Sequence, residues 1–387
     1  MGTLELPQIR ATSPTLAETM RACLLRAGLS RASGSSNFVL GNPKAWLGIA
    51  YHDVLAKIVG IDLGQESLED VVGRLWNQAI AFQQQRADAH ILDRRFGLPP
   101  SWPGYHIARA SVQLRAQDLY SRRALARAAV TKQASGTGRT TEIHEQEFAA
   151  FGGRLIGRPD LICADEVIDY KSGEIVEHDP ATQTDLVKIA YVRQIRIYGY
   201  LVRQNLGWWP RRGVLLPLVG AGVEVALDPS ECEQEAYEAI ALLESYRETL
   251  IAAVAPEELA SPSPQTCRWC PYKLVCPSFW QACTAAWSGQ LDGMAVEGVV
   301  TEEPAAIYEG AARAVAVDIQ TGNDIPRRVQ IAPLSAASHP AVEILAAGEQ
   351  IRFVGLRARP DGVLATTQRT LLARVDDLPT ISVARGT

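Results

Sequence analysis

Asp160, Asp169 and Lys171 have the types and spacing to do chemistry together. Asp169 and Lys171 stand two apart in Val167-Ile168-Asp169-Tyr170-Lys171, so on a strand both side chains leave from one face. Asp160 closes Gly157-Arg158-Pro159-Asp160 ahead of a second apolar run, Leu161 to Cys163, and the polar turn Ala164-Asp165-Glu166 joins the two runs. A partner strand then brings Asp160 beside the other two charges. Burying two carboxylates and an ammonium costs several kcal/mol unless they are paired or bind a metal. A salt-bridged surface hairpin is the plain alternative. The apolar pairs Leu155-Ile156, Leu161-Ile162 and Val167-Ile168 favour core strands instead.

A second chemical cluster is Cys267-Arg268-Trp269-Cys270-Pro271-Tyr272-Lys273-Leu274-Val275-Cys276, a Cys-x2-Cys-x5-Cys array. Two thiolates separated by two residues reach one metal centre, and a third closes most of a coordination shell. A tetrahedral site needs a fourth ligand, for which Cys23 and Cys283 are the candidates. His52 shares an apolar helix face with Gly48, Leu55 and Ala56. A lone His there is more often a core residue, and it is held as a candidate ligand. Gln194 and Tyr198, four apart, share a helix face.

The elements that must position these groups can be read in part. Residues 1–12 read as a loose leader, and Ser13-Pro14 as a helix start. Residues 65 to 135 are helical in character, and the stretch from Arg86 to Arg139 is biased toward arginine: Arg86, Arg94, Arg95, Arg109, Arg115, Arg122, Arg123, Arg127, Lys132 and Arg139 stand against Asp88, Asp93 and Asp118. Such a run is usually a solvated face, but it can also bind a phosphate backbone. Glu142 to Phe148 alternates as a strand, residues 181–205 read as one long helix, Arg212–Pro217 and Val223–Leu227 as strands, and Pro229–Ala255 as an amphipathic helix. After 295, short strand-like runs separated by Gly, Pro, Asn and Asp suggest a small β-barrel or sandwich, OB-like among the options.

With 387 residues the chain can bury a large core in two or more domains. A formal net charge of −5 does not advertise a nucleic-acid partner. No apolar run approaches the roughly 20 residues that span a bilayer, and no secretory signal opens the sequence, so a cytoplasmic protein without a membrane partner is expected. In a reducing compartment the seven cysteines argue for a metal or cluster before disulfides. Gly136–Thr140 lacks the Gly-Lys-Ser/Thr ending of a nucleotide-binding loop, so no motor is expected.

Taken in order, Gly48-x-x-x-His52, Gly157-x-x-Asp160, Asp169-x-Lys171, Gln194-x-x-x-Tyr198 and the cysteine array resemble the RecB-like branch of the PD-(D/E)XK nucleases, in particular its iron–sulfur members related to AddB and to the CRISPR adaptation nucleases. The resemblance implies an α/β restriction-endonuclease-like core, a mixed central sheet flanked by helices, over residues 13–288. It carries a helical insertion at about 65–135 and the array at 267–276; a small all-β domain over 295–387 lies outside it. It also implies that His52, Asp160 and Asp169 hold Mg2+ or Mn2+, that Lys171 orients the attacking water or stabilises the charge building on a phosphate, and that Gln194 and Tyr198 support the site and contact DNA. Cys23 would join Cys267, Cys270 and Cys276 around a [4Fe-4S] cluster, with zinc as the competing occupant.

The implied activity is metal-dependent hydrolysis of DNA, as an exonuclease on single strands or ends, in repair, recombination or defence. A helicase is the partner suggested by analogy. A DNA-binding or scaffolding subunit of a helicase–nuclease complex is the rival reading; the intact acid–acid–lysine set stands against it. Oligomeric state and cutting polarity are not written in the sequence.

Overall fold

The Ser13 hydroxyl accepts the Leu16 amide at 3.3 Å, and Pro14 occupies the first turn, where its missing N–H costs nothing. The computed structural model describes residues 2–58, 61–132, 142–163, 165–179 and 183–383, with the backbone alone over 122–132. Strand β1 (Thr3–Leu6) precedes helices α1 (Pro14–Ala22), α2 (Leu24–Leu29), α3 (Pro43–Ile58), α4 (Leu68–Ala89) and α5 (Tyr105–Lys132). Strands β2 (Ile143–His144), β3 (Phe148–Ala150), β4 (Leu155–Gly157), β5 (Leu161–Cys163), β6 (Glu166–Lys171), β7 (Val176–Asp179) and β8 (Thr184–Val187) lead to α6 (Ile189–Leu206). Strands β9 (Arg212–Pro217) and β10 (Val223–Ala226) then precede α7 (Pro229–Ala252) and the short helices α8 (Pro264–Cys267) and α9 (Pro277–Ala282).

The protein is mixed α/β. Its central sheet has the order β10-β9-β6-β5-β2, with β6 parallel to β9 and antiparallel to β5. Alternation along the strands sends Leu161, Ile168 and Tyr170 toward α3, α4 and α5, where Val54, Trp76 and Ala108 receive them. Ile162, Val167 and Leu215 face the other way, onto Ile195 and Leu201 of α6 and Ala236 of α7. The site-bearing strand β6 is thus central and covered on both faces.

Two expectations need correction. Residues 184–187 are strand β8, paired with β7, so the helix expected over 181–205 begins at Ile189; Ala181 lies outside the described residues. Residues 1–12 are not a loose leader: Leu4 and Leu6 are buried, and β1 pairs in parallel with β18 (Thr380–Val383). Of the arginines of the helical region, Arg95 is turned inward, its guanidinium donating to the Leu92, Ser338 and Thr370 carbonyls at 2.8, 2.5 and 2.6 Å. The side chains of Arg122, Arg123, Arg127 and Lys132, and all of Arg139, fall outside the described residues.

Beyond residue 293 the strands are β11 (Met294–Val300), β12 (Ala305–Ile307), β13 (Ala312–Gly322), β14 (Arg328–Leu334), β15 (Gln350–Ala358), β16 (Leu364–Ala365) and β17 (Leu371–Arg374). Because β11 pairs with both β13 and β15, the order β11-β13-β14-β16-β15 closes into a ring, with β14 and β16 parallel. Val296, Val317, Ile331 and Phe353 fill it. A further core joins Leu4 and Leu6 to Met20, Tyr246, Val275, Phe279, Ala295, Val354 and Leu371, so the first residues, the cysteine segment and the ring share apolar packing.

Candidate active site

The pairing of Leu161 with Ile168 sets Asp160 across from Asp169, both buried. The Tyr170 amide donates to Asp160 Oδ2 at 2.5 Å. Lys171 Nζ lies 2.5 Å from Asp169 Oδ2 and donates to Gln194 Oε1 at 2.7 Å. The Gln194 amide in turn donates through Nε2 to Asp169 Oδ1 at 3.2 Å and to the Tyr198 hydroxyl at 3.0 Å. The four-residue spacing on α6 therefore makes one hydrogen-bonded column that holds the ammonium in place. Tyr198 is buried and acts behind Gln194, while the Tyr191 ring stands 4.4 Å from Lys171 Nζ.

His52 comes from α3: its Nδ1 is 3.2 Å from Asp160 Oδ1 and 3.9 Å from Glu145 Oε1. The ligand atoms of His52, Glu145 and Asp160 all lie within 4.8 Å of one another, a grouping that suits a hard divalent cation. Asp169, expected in the ligand set, adjoins this group with its oxygens turned to Lys171 and Gln194. Glu145 was not singled out from sequence. It follows β2 in a left-handed conformation (φ 48°) with its amide on the Asp160 carbonyl at 3.2 Å. That break in the expected strand aims it at the site, and no residue pattern distinguishes it from Glu142 or Glu147.

The two motif glycines owe their identity to close packing. A Cβ at Gly48 would stand 2.5 Å from Ser172 Oγ, so a side chain there would press on Ser172 where α3 approaches the end of β6. A Cβ at Gly157 would meet Leu201 Cδ1 at 2.6 Å and Tyr198 Cε1 at 3.0 Å, crowding the α6 side chains that pack behind the site. A 300 Å³ cleft lined by His52, Tyr170, Lys171, Tyr191 and Gln194 gives access.

Burial opposes a charge on His52, but its hydrogen bonds to Asp160 and Glu145 prevail and push the imidazole up to about 10. Asp169 is pushed up to about 6 by burial and by the Asp160 charge, with Lys171 pulling the other way. At neutral pH His52 therefore carries a proton that a metal must displace. Raising the pH removes that competitor, so metal affinity is expected to rise about tenfold per pH unit between pH 7 and 9, and more steeply below pH 6 as Asp169 also protonates. Isothermal titration of Mn2+ in buffers of different ionisation enthalpy checks this; affinity flat over that range would contradict it.

The cysteines form a separate cluster. Cys23 sits at an extended break (φ −168°, ψ 120°) between α1 and α2, which turns it out of the helical run. Cys23, Cys267, Cys270 and Cys276 line one small apolar cavity with Leu25, Leu29 and Phe279. Burial pushes the thiols of Cys270 and Cys276 up to about 11 and about 12, so thiolates there require a bound cation. Cys283 is buried but is not among the residues lining that cavity.

A family model for the PD-(D/E)XK nuclease superfamily matches residues 11–277. No curated protein matches the chain. A solved structure titled "Crystal structure of SSO0001" is 20% identical over 43% of this chain and 76% of its own, with a TM-score of 0.21, too low to carry an argument. No helix among the described residues is long and apolar enough to cross a membrane. The family match spans most of the chain and encloses the acids, the lysine and the glutamine column, and the chain belongs to the PD-(D/E)XK nuclease superfamily.

Proposed function

We propose that the protein is a metal-dependent deoxyribonuclease of the RecB-like iron–sulfur type, cutting phosphodiester bonds of single-stranded or end-bearing DNA from the cleft around Lys171. The observation that carries this reading is the convergence of His52 from α3, Asp160 just ahead of β5, Asp169 and Lys171 from β6 and Gln194 from α6, with His52, Lys171 and Gln194 lining one cleft. His52, Asp160 and Asp169, with Glu145 added, are the residues to hold Mg2+ or Mn2+; imidazole and carboxylates suit either. Bound there, the ion would polarise a scissile phosphate and lower the pKa of a water. Lys171, fixed by Asp169 and Gln194, offers its ammonium to the oxyanion that builds on phosphorus. Tyr198 keeps Gln194 in register, and Gln194 is the member of the pair exposed enough to meet DNA.

Cys23, Cys267, Cys270 and Cys276 are assigned to a [4Fe-4S] cluster, and their shared apolar cavity supports that set. Four thiolates suit zinc as well, which is the competing occupant. The domain division proposed is 13–288 for the nuclease and 295–387 for an OB-like module, the latter supported by the five-strand closed ring. A helicase partner and a role in DNA repair or defence rest on the family type.

Purified protein is expected to degrade labelled single-stranded DNA with Mg2+ or Mn2+ and to stop when chelator is added. Folded, metal-replete protein that cuts neither single-stranded nor duplex DNA would favour a binding or scaffolding subunit instead.

A further inference from the structure

A second groove, sharing no lining residue with the cleft, runs along the seam between the cysteine segment, the C-terminal ring and the start of α3. One part, of 110 Å³, is lined by Arg268, Trp269 and Lys273; the adjoining part, of 250 Å³, by Lys44; and Arg369 lines both. Three exposed cations, Arg268, Arg369 and Lys44, thus face one acid on this lining, Asp292, which pairs with Arg369 at 2.8 Å, while the Lys273 ammonium is buried and donates to the Arg268 carbonyl at 2.9 Å. Trp269 is 57% exposed, although Cys267, Tyr272, Leu274 and Val275 around it are buried. The Arg268 guanidinium lies 5.3 Å from its ring centroid, which orients the indole and leaves more than half of it to solvent.

An exposed indole beside a row of cations fits a polyanion that carries flat apolar groups. We propose that this groove binds a single-stranded nucleic-acid segment, with phosphates on Arg268, Arg369 and Lys44 and one unstacked base on Trp269. The inference rests on the reading of the protein as a DNA nuclease and names a subsite for its substrate. A duplex offers no free base face to a lone Trp, and the groove is too small to seat one. An acidic peptide would engage the cations but has no use for the indole. Lys44 and His52 lie two turns apart on α3, about 12 Å, so one helix connects the groove to the cleft.

The test is fluorescence anisotropy of labelled oligodeoxythymidylate with the full-length protein in EDTA, over a range of salt. Trp269→Ala is expected to weaken single-strand binding about tenfold and leave duplex binding unchanged. Lys44→Ala, at an exposed helix start away from the cysteines, should lower the slope of log affinity against log salt by about 0.7. Poly-glutamate should compete poorly. No binding by the unmodified protein, unaltered binding by both variants, or displacement by poly-glutamate at equal charge would each overturn the proposal. Since metal is absent, binding is read apart from hydrolysis: protein that cuts DNA with Mg2+ but binds it equally well in both variants fails this inference alone, whereas protein that binds through Trp269 and Lys44 but cuts nothing fails the nuclease reading.

Discussion

Lys171→Ala is expected to lower single-turnover DNA cleavage by at least about a hundredfold, the scale of losing one preorganised charge beside a developing oxyanion. Binding to the same oligonucleotide in EDTA should stay within about threefold, because one partly buried ammonium contributes little to holding a polyanion that meets many others. The variant also strips Asp169 of its 2.5 Å partner, leaving the carboxylate to Gln194 alone and raising its proton affinity further. Lys171→Arg separates charge from geometry: it keeps the former but cannot reproduce the contacts to Asp169 and Gln194, so its cleavage should stay well below normal. Cleavage undiminished in Lys171→Ala would remove the residue from the mechanism.

Cys23→Ala should have the largest effect on stability. A cluster held by Cys23 and the array would cross-link residues 23 and 267, closing a loop of 244 residues (267 minus 23). Crosslinks over such lengths stabilise on the order of 5 kcal/mol by restricting the unfolded chain. Cys23 also fixes the α1–α2 break, beside a core shared by Leu16, Met20, Leu25 and Phe279. The variant is expected to lose iron and sulfide when prepared anaerobically and to melt well below the unaltered protein. An intact cluster would move the fourth ligand to Cys283, and zinc without iron would end the iron–sulfur assignment.

What the sequence revealed follows from locality. The β-branched runs around Asp160 and Asp169 have a period of two, so their pairing and shared face were readable. Gln194 and Tyr198 were readable because one helical turn joins them. Glu145 was hidden because a single positive φ, which no neighbouring residue announces, decides where its carboxylate points. Strand β8 was merged into α6 because Leu186, Val187, Ile189 and Ala190 are spaced as a helix would space them; only pairing with β7 reveals otherwise. Strand β1 was unreadable for a different reason: its partner residues lie 377 positions away.

That last pairing has a consequence in time. On a ribosome adding about 5 to 20 residues per second, the five-stranded sheet that carries Asp160, Asp169 and Lys171 is complete once Ala226 has emerged. The partner of β1 follows only when Thr380–Val383 appear, about 8 to 30 s later at those rates. Through that interval β1, with Leu4 and Leu6, has no strand to pair with, so a segment made before the sheet is sealed only well after it.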